Sequence, residues 1–342
     1  MIRSVGRHCR AARMLLSSLL VLTAFATPAF AQAVVELRIG SSVPKADPIS
    51  VSLDKFAELV GEKSGGKVVA RVFYQSLGIE HQLLQGAQAG SLDVGMISNG
   101  NAGRFTSAYF VLDLPFLFKR YDDMLDFMNS PVGRDTVATF EKDTGLTHLY
   151  LISFGAGRDI QTRNKKLRTP DDIKGLKIRV ISTPVELAIY KAWGANPTPV
   201  DWGQTYTALQ QGVVDGMQSN LPPVWSGKFD EVVKHNIRLN YTSSFVQVFI
   251  SAKKLASLSE ANQKAIREAA QEAEVWIRKY AAEKLDTYVK ELKDRGMDIY
   301  YPAESEYAQW AAIREKVWHE VAEQQKGRLN LDLANKIFSA QK

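Results

Sequence analysis

Few side chains in this sequence are grouped for chemistry, and those that stand out are arginines. Four histidines follow residue 31: His81, His148, His235 and His319. None stands in an H-x-x-x-H or H-E-x-x-H spacing, which would set two metal ligands on one helical face. There is no G-x-S-x-G nucleophile turn and no G-x-x-x-x-G-K-[ST] phosphate loop. "GAGRDI" (155–160) contains G-x-G but lacks the third glycine of a dinucleotide site. Acids are plentiful but scattered, as on a solvated surface. No catalytic residue, metal ligand or cofactor is therefore assigned, and the chain reads as a non-enzyme. Two arginines remain. Arg158 follows "FGAG", whose small residues would let a backbone bend close to a ligand. Arg179 lies in "KGLKIRV" (174–180), where Leu176, Ile178 and Val180 take one face of a strand and Lys177 and Arg179 the other. A guanidinium keeps its charge at any physiological pH and offers a flat fork of donors, so two of them could clamp a carboxylate. For a lone strand arginine, a surface position or a salt bridge is the better reading of the pattern by itself. The pattern leaves these readings open.

The elements that would position these groups are legible. "VELRIG" (35–40) alternates as a strand, and Asp47-Pro48 supplies an N-cap and a first-turn proline for a helix carrying Ile49, Leu53, Phe56, Ala57 and Val60 on one face. Gly65-Gly66 ends that helix, "KVVARVFY" (67–74) is a second strand, and 80–89 a second helix closed by Gly90. Two stretches then match in order: "QAGSLDVGM" (88–96) and "QQGVVDGM" (210–217), each after a strand-helix unit opened by "GGKVVARVF" (65–73) or "KGLKIRVIS" (174–182). This predicts two similarly built α/β lobes. From 259 to about 295 the pattern is one helix with Ile266, Ala270, Ala273, Ile277 and Tyr280 in a stripe, ended by Gly296. Unbroken, it would run roughly 50 Å, although the stripe drifts after Tyr280, where a kink would fit. A last helix is predicted over about 304–325, burying Trp310, Ile313, Val317 and Val321.

The first 31 residues read as a signal peptide. Arg3, Arg7, Arg10 and Arg13 precede a short apolar core (14–26), and "AFA" (29–31) predicts cleavage after Ala31. Removing four arginines leaves 39 Lys+Arg against 37 Asp+Glu, so the formal charge of +6 belongs mostly to the leader. With no basic stripe, nucleic acid is excluded as a partner. The apolar core is too short to span a bilayer, so no stable membrane insertion is expected after cleavage. Cys9, the one cysteine, precedes that core rather than following it as in a lipoprotein. The mature chain has no thiol for a disulfide or metal site, and its 311 residues suit one or two large-cored domains.

From about Leu37 to Val248 the sequence resembles the solute receptors of tripartite ATP-independent periplasmic (TRAP) transporters. The resemblance rests on "FAELVGEKSGGKV" (56–68), "SLGIEHQLLQGAQAGSLDVGM" (76–96), "DLPFLF" (113–118), "TPDDIKGLKIRV" (169–180), "GANPTPV" (194–200), "YTALQQGVVDG" (206–216) and "KFDEVVK" (228–234), in this order. It implies an α/β periplasmic-binding-protein fold: two lobes with mixed sheets, hinge strands, and a long helix spanning both lobes. Lobe I would comprise 32–155 plus about 245–285, and lobe II 156–244 plus about 286–330. It further implies a periplasmic protein that traps a small organic carboxylate between the lobes and delivers it to an ion-driven permease of one small and one large membrane subunit. The alternative is a receptor for an ATP-driven (ABC-type) importer or a sensor input domain, which the long helix and "DLPFLF" disfavour.

The same resemblance assigns the site. Arg179 matches the family's carboxylate-gripping arginine, and Arg158 a second arginine after the G-x-R turn. Ser42, Glu80, Ser98 and Asn99 would line lobe I, and Trp202 would pack on the ligand. This chain departs from the family pattern at Gln204, where a glutamate is common. Ser219 stands where an asparagine often contacts the carboxylate, with Asn220 one residue away. Tyr241 stands where a histidine is frequent. The general role transfers; the identity of the ligand does not.

Overall fold

The computed structural model describes residues 34–341. The signal peptide, its cleavage point and Cys9 lie outside the described residues. Eleven strands form two mixed sheets among the described residues. In chain order they are β1 (Val35–Ser41), β2 (Val68–Tyr74), β3 (Val94–Ser98), β4 (Leu146–Ser153), β5 (Asp159–Thr162), β6 (Lys177–Val180), β7 (Asn196–Pro199), β8 (Gly216–Ser219), β9 (His235–Ile237), β10 (Phe245–Ser251) and β11 (Asp298–Tyr300). The first sheet has the order β2-β1-β3-β10-β4, the second β11-β9-β5-β8-β6-β7.

The two matching sequence stretches fold as one motif used twice. In each sheet three parallel strands linked by helices, β2-β1-β3 or β7-β6-β8, meet an antiparallel strand, β10 or β5. The shared aspartate has the same duty in both. Asp93 accepts the backbone N–H of Arg38 at 2.8 Å, and Asp215 that of Lys177 at 2.9 Å, so each carboxylate satisfies a donor where its neighbouring strand begins or runs past. Met96 and Met217, just beyond, are both fully buried.

Three connections join the sheets. Residues 154–158 carry the chain from β4 to β5, residues 238–244 carry it from β9 back to β10, and the helix Glu260–Asp294 carries it to β11. This helix is capped at Ser259, whose side chain accepts from Asn262 N. At 35 residues it is about 50 Å long. No break interrupts it: the buried stripe moves from Ile277 to Ala281, then to Tyr288 and Leu292, inside one continuous helix. Ile266, Ala270, Ala273 and Ile277 pack with Leu37, Phe56 and Val248 of the first sheet's core, and Leu292 packs with Met217, Phe229 and Ile299 of the second. The drift is therefore the helix passing from one core to the other.

Asp47 caps the helix Pro48–Lys63 through Ile49 N at 2.9 Å, as its sequence predicts. Its second oxygen accepts from Ser226 of the helix Leu221–Ser226, linking two segments distant in sequence. The expected helix over 304–325 is instead two, Glu304–Ala311 and Arg314–Gln324. Their turn sends Trp310 edge-on against Trp193 while Trp318 donates to the Pro115 carbonyl at 2.9 Å. A further helix, Leu331–Ala340, is capped by Asn330.

Gly155, in the first crossing segment, has φ +73°, and a Cβ there would lie 2.9 Å from the Ala281 carbonyl oxygen of the long helix. Gly157 abuts the second crossing segment, with a Cβ site 2.7 Å from Thr242 O. The glycines of "FGAG" thus serve close packing of the connections, rather than the approach to a ligand that the sequence suggested. Gly155→Ala is expected to destabilise the fold by more than about 1 kcal/mol, read as a lower urea midpoint.

Candidate binding site

Arg179 is set by the shortest of arguments. Ile178 and Val180 are fully buried in an interior strand flanked by β7 and β8, and the pleat turns Arg179 to the opposite face. That face is also enclosed, leaving Arg179 only 4% exposed. Its Nε donates to the Val200 carbonyl at 2.8 Å, and its guanidinium lies 5.6 Å from the Trp202 ring centre. Among the described residues no carboxylate lies within ion-pair distance of it. Burial pulls its pKa down to about 10, partly offset by the fields of Glu186, Glu80 and Asp201 and reinforced by Arg158. It therefore stays charged near neutrality, a buried cation whose terminal nitrogens have no acceptor among the described residues.

Arg158 is the opposite case. Its Nη1 meets Asp113 Oδ1 at 3.0 Å and Glu186 Oε1 at 2.6 Å, with all three side chains buried. Glu186 Oε2 accepts from the Tyr241 hydroxyl at 3.1 Å, which lies 3.2 Å from that of Tyr190. Burial raises Glu186 to about 7; Arg158 opposes the rise and the charge of Asp113 adds to it. The backbone of Arg158 also joins the two crossing segments, with its N–H to Thr242 O at 2.9 Å and its carbonyl accepting from Tyr241 N at 3.0 Å.

Arg158, Arg179, Trp202, Ser219, Asn220, Glu80 and Ser98 come together around one cavity of about 70 Å³ between the sheets. Glu80 begins the helix Glu80–Ala89, and its Oε2 accepts from Ser98 N at 2.8 Å, Ser98 Oγ at 2.7 Å and Asn101 Nδ2 at 2.8 Å. Asn220 reaches the cavity with its amide engaged: Nδ2 donates to Ala156 O at 2.7 Å and Oδ1 accepts from Ser244 Oγ at 2.9 Å. It thereby ties the end of β8 to both crossing segments.

Three expected residues lie outside this lining, each for a local reason. Ser42 turns its hydroxyl onto Met96 sulfur at 3.4 Å, and Val43 takes the cavity wall. Asn99 is held between Asp113 and Phe245 N, at 3.3 Å each. Tyr241 is fully buried with its hydroxyl in the Glu186 network. Three polar lining residues escaped the sequence reading: Asn101, Gln218 and Ser244, the last already engaged by Asn220. Asn101 lies a helical turn beyond Ser98. Gln218 lines the cavity 2% exposed, with a buried Nε2 that has no partner among the described residues. The signal for Gln218 was available: the pleat that buries Met217 turns its neighbour the other way.

Residues 39–325 match the DctP family model, "Bacterial extracellular solute-binding protein, family 7". The chain belongs to this family. It is similar to the 2,3-diketo-L-gulonate-binding periplasmic protein YiaO of Escherichia coli (strain K12), 31% identical over 279 residues that cover 81% of this chain and 84% of the relative. Its fold matches a TRAP periplasmic solute binding protein from Sulfurospirillum deleyianum with bound succinate, at TM-score 0.84 and 25% identity, over 91% of this chain and all of that one. It also matches one from Chromohalobacter salexigens with bound D-glucuronate, at TM-score 0.83 and 26% identity, over 89% of this chain and all of that one. These comparisons make the chain a TRAP solute-binding protein rather than an enzyme, and its fold the two-lobed one with a long bracing helix. In this solute-binding protein one arginine is fixed by two acids and the other is left without a counter-ion.

Proposed function

We propose that this solute-binding protein captures a small organic carboxylate in the cavity between its sheets and, from the periplasm, hands it to an ion-driven permease of one small and one large subunit. The observation that carries the reading is Arg179: charged, buried, and without a carboxylate partner among the described residues. An unpaired buried cation costs several kcal/mol, so the site is relieved when an anion enters. A carboxylate meeting the free edge of the guanidinium supplies two parallel charge-assisted bonds. Arg158, Ser219 and Trp202 complete the binding wall beside it, while Asn220 orients the connections instead of meeting the ligand.

The lobes are assigned as 32–155 plus about 245–285 and 156–244 plus about 286–330. Residues 154–158 and 238–244 are then the hinge, and closure over the ligand strengthens the ion pair by excluding water. Bound relatives support the ligand class: one holds succinate and another D-glucuronate. A thermal-shift screen over organic acids tests the reading. The matching acid at about 100 times its Kd adds roughly 2.7 kcal/mol and raises Tm. A screen in which uncharged analogues stabilise as well as the acids would defeat it.

A further inference from the structure

Resting on the carboxylate reading, we infer that the cavity selects a hydroxylated monocarboxylate, such as a sugar acid, against a dicarboxylate, and that Glu80 is the residue that discriminates. The cavity is charged unevenly. Its charged lining residues are Arg158 and Arg179 on the side of the crossing segment and second sheet, and Glu80 on the side of the first sheet. Nη1 of Arg158 is already shared by Asp113 and Glu186. One cation thus remains for one carboxylate, and among the described residues no cation lines the first-sheet wall. Arg104 lines an adjoining pocket, exposed and in company with Asp201.

Glu80 is held with one oxygen in surplus. Oε2 takes all three bonds from Ser98 and Asn101, which fix the carboxylate, while Oε1 accepts from no described residue. An acceptor at a ligand's far end calls for a donor, which a hydroxyl can be and an ionised carboxylate cannot. A second carboxylate there would face Glu80 as a like charge in a partly dry cavity. Gln218 adds an independent observation: its buried, unpartnered Nε2 is a donor for a ligand oxygen. One lining thus holds a surplus acceptor on Glu80 and an unpartnered donor on Gln218, the two capacities that a hydroxyl group answers.

The experiment is calorimetric titration of the purified protein and its Glu80→Gln variant. One panel holds four- to six-carbon aldonates, uronates and pantoate; the other holds succinate, glutarate and adipate. The wild type is expected to bind its best hydroxy acid at least 100-fold more tightly than any dicarboxylate. Glu80→Gln keeps the shape and an acceptor oxygen but removes the charge, and should cut that ratio at least 10-fold. A wild type that prefers a dicarboxylate overturns the inference, as does a ratio that Glu80→Gln leaves unmoved. In both outcomes the carboxylate reading stands if Arg179→Ala weakens binding about 30-fold or more. Absence of any acid ligand, or binding indifferent to Arg179→Ala, overturns the reading itself and the inference with it. The wild-type ranking alone decides should the variant fail to fold.

Discussion

Arg179→Ala is expected to yield a folded protein that binds its acid 30- to several-thousand-fold more weakly, from the roughly 2–5 kcal/mol that truncating one partner of a desolvated charge pair costs. Arg179→Lys keeps the charge but loses the fork, and should weaken binding by roughly tenfold. The unliganded protein should respond in the opposite sense. Arg179 has one hydrogen bond, to Val200 O, and no ion pair among the described residues, while its burial lowers its pKa to about 10. Removing such a group relieves a desolvation penalty, so the apo Tm of Arg179→Ala should equal or exceed that of the wild type. Calorimetric titration gives the first quantity and differential scanning calorimetry the second. Lost affinity with a large drop in apo Tm would make Arg179 a structural residue instead.

The same contrast explains what could be read in the sequence. Periodicity placed Arg179 on a face opposite Ile178 and Val180, and burial on both faces of an interior strand did the rest. The doubled G-x-x-D signal corresponded to two aspartates with equivalent backbone partners, because the spacing is set by the helix-to-strand turn itself. Residues whose role depends on a partner distant in sequence were not legible. Asn99 and Tyr241 are polar residues that the family pattern put at the ligand, yet they lie outside the cavity lining and answer Asp113 and Glu186. Asn220 does line the cavity, with its amide also bonded to Ala156 and Ser244. Gly155 and Gly157 are small because of the long helix and the second crossing segment, a tertiary cause that no local window contains. Gln218 needed the register of β8, fixed once Met217 is known to be core.

Arg158→Met should have the largest effect on stability. The substitution leaves Asp113 and Glu186 buried side by side without their cation, and breaking a buried ion pair by removing one partner costs about 3–5 kcal/mol. That corresponds to a Tm drop on the order of 10 °C, read by scanning calorimetry. The loss should depend on pH. Burial already raises Glu186 to about 7 in the native state, above its ordinary carboxylate value, so the native form holds this proton more tightly than the unfolded chain does. Stability from this group is present at low pH and is lost as pH rises through about 7. Arg158 is the main influence holding both carboxyls down, so its removal pushes them higher still. The variant's deficit should therefore be widest near pH 8 and narrow as pH falls below about 7, where Glu186 takes up its proton. Glu186→Gln keeps an acceptor for Arg158 and leaves Asp113 and Arg158 as a balanced pair, so it should flatten the wild-type dependence with little loss. Combined with Arg158→Met, it should return a large part of the lost stability at pH 8, since one stranded charge is gone. A deficit independent of pH, or a double variant no better than the single one, would mean that Arg158 acts through packing and backbone contacts with Thr242 and Tyr241, and not through the two acids.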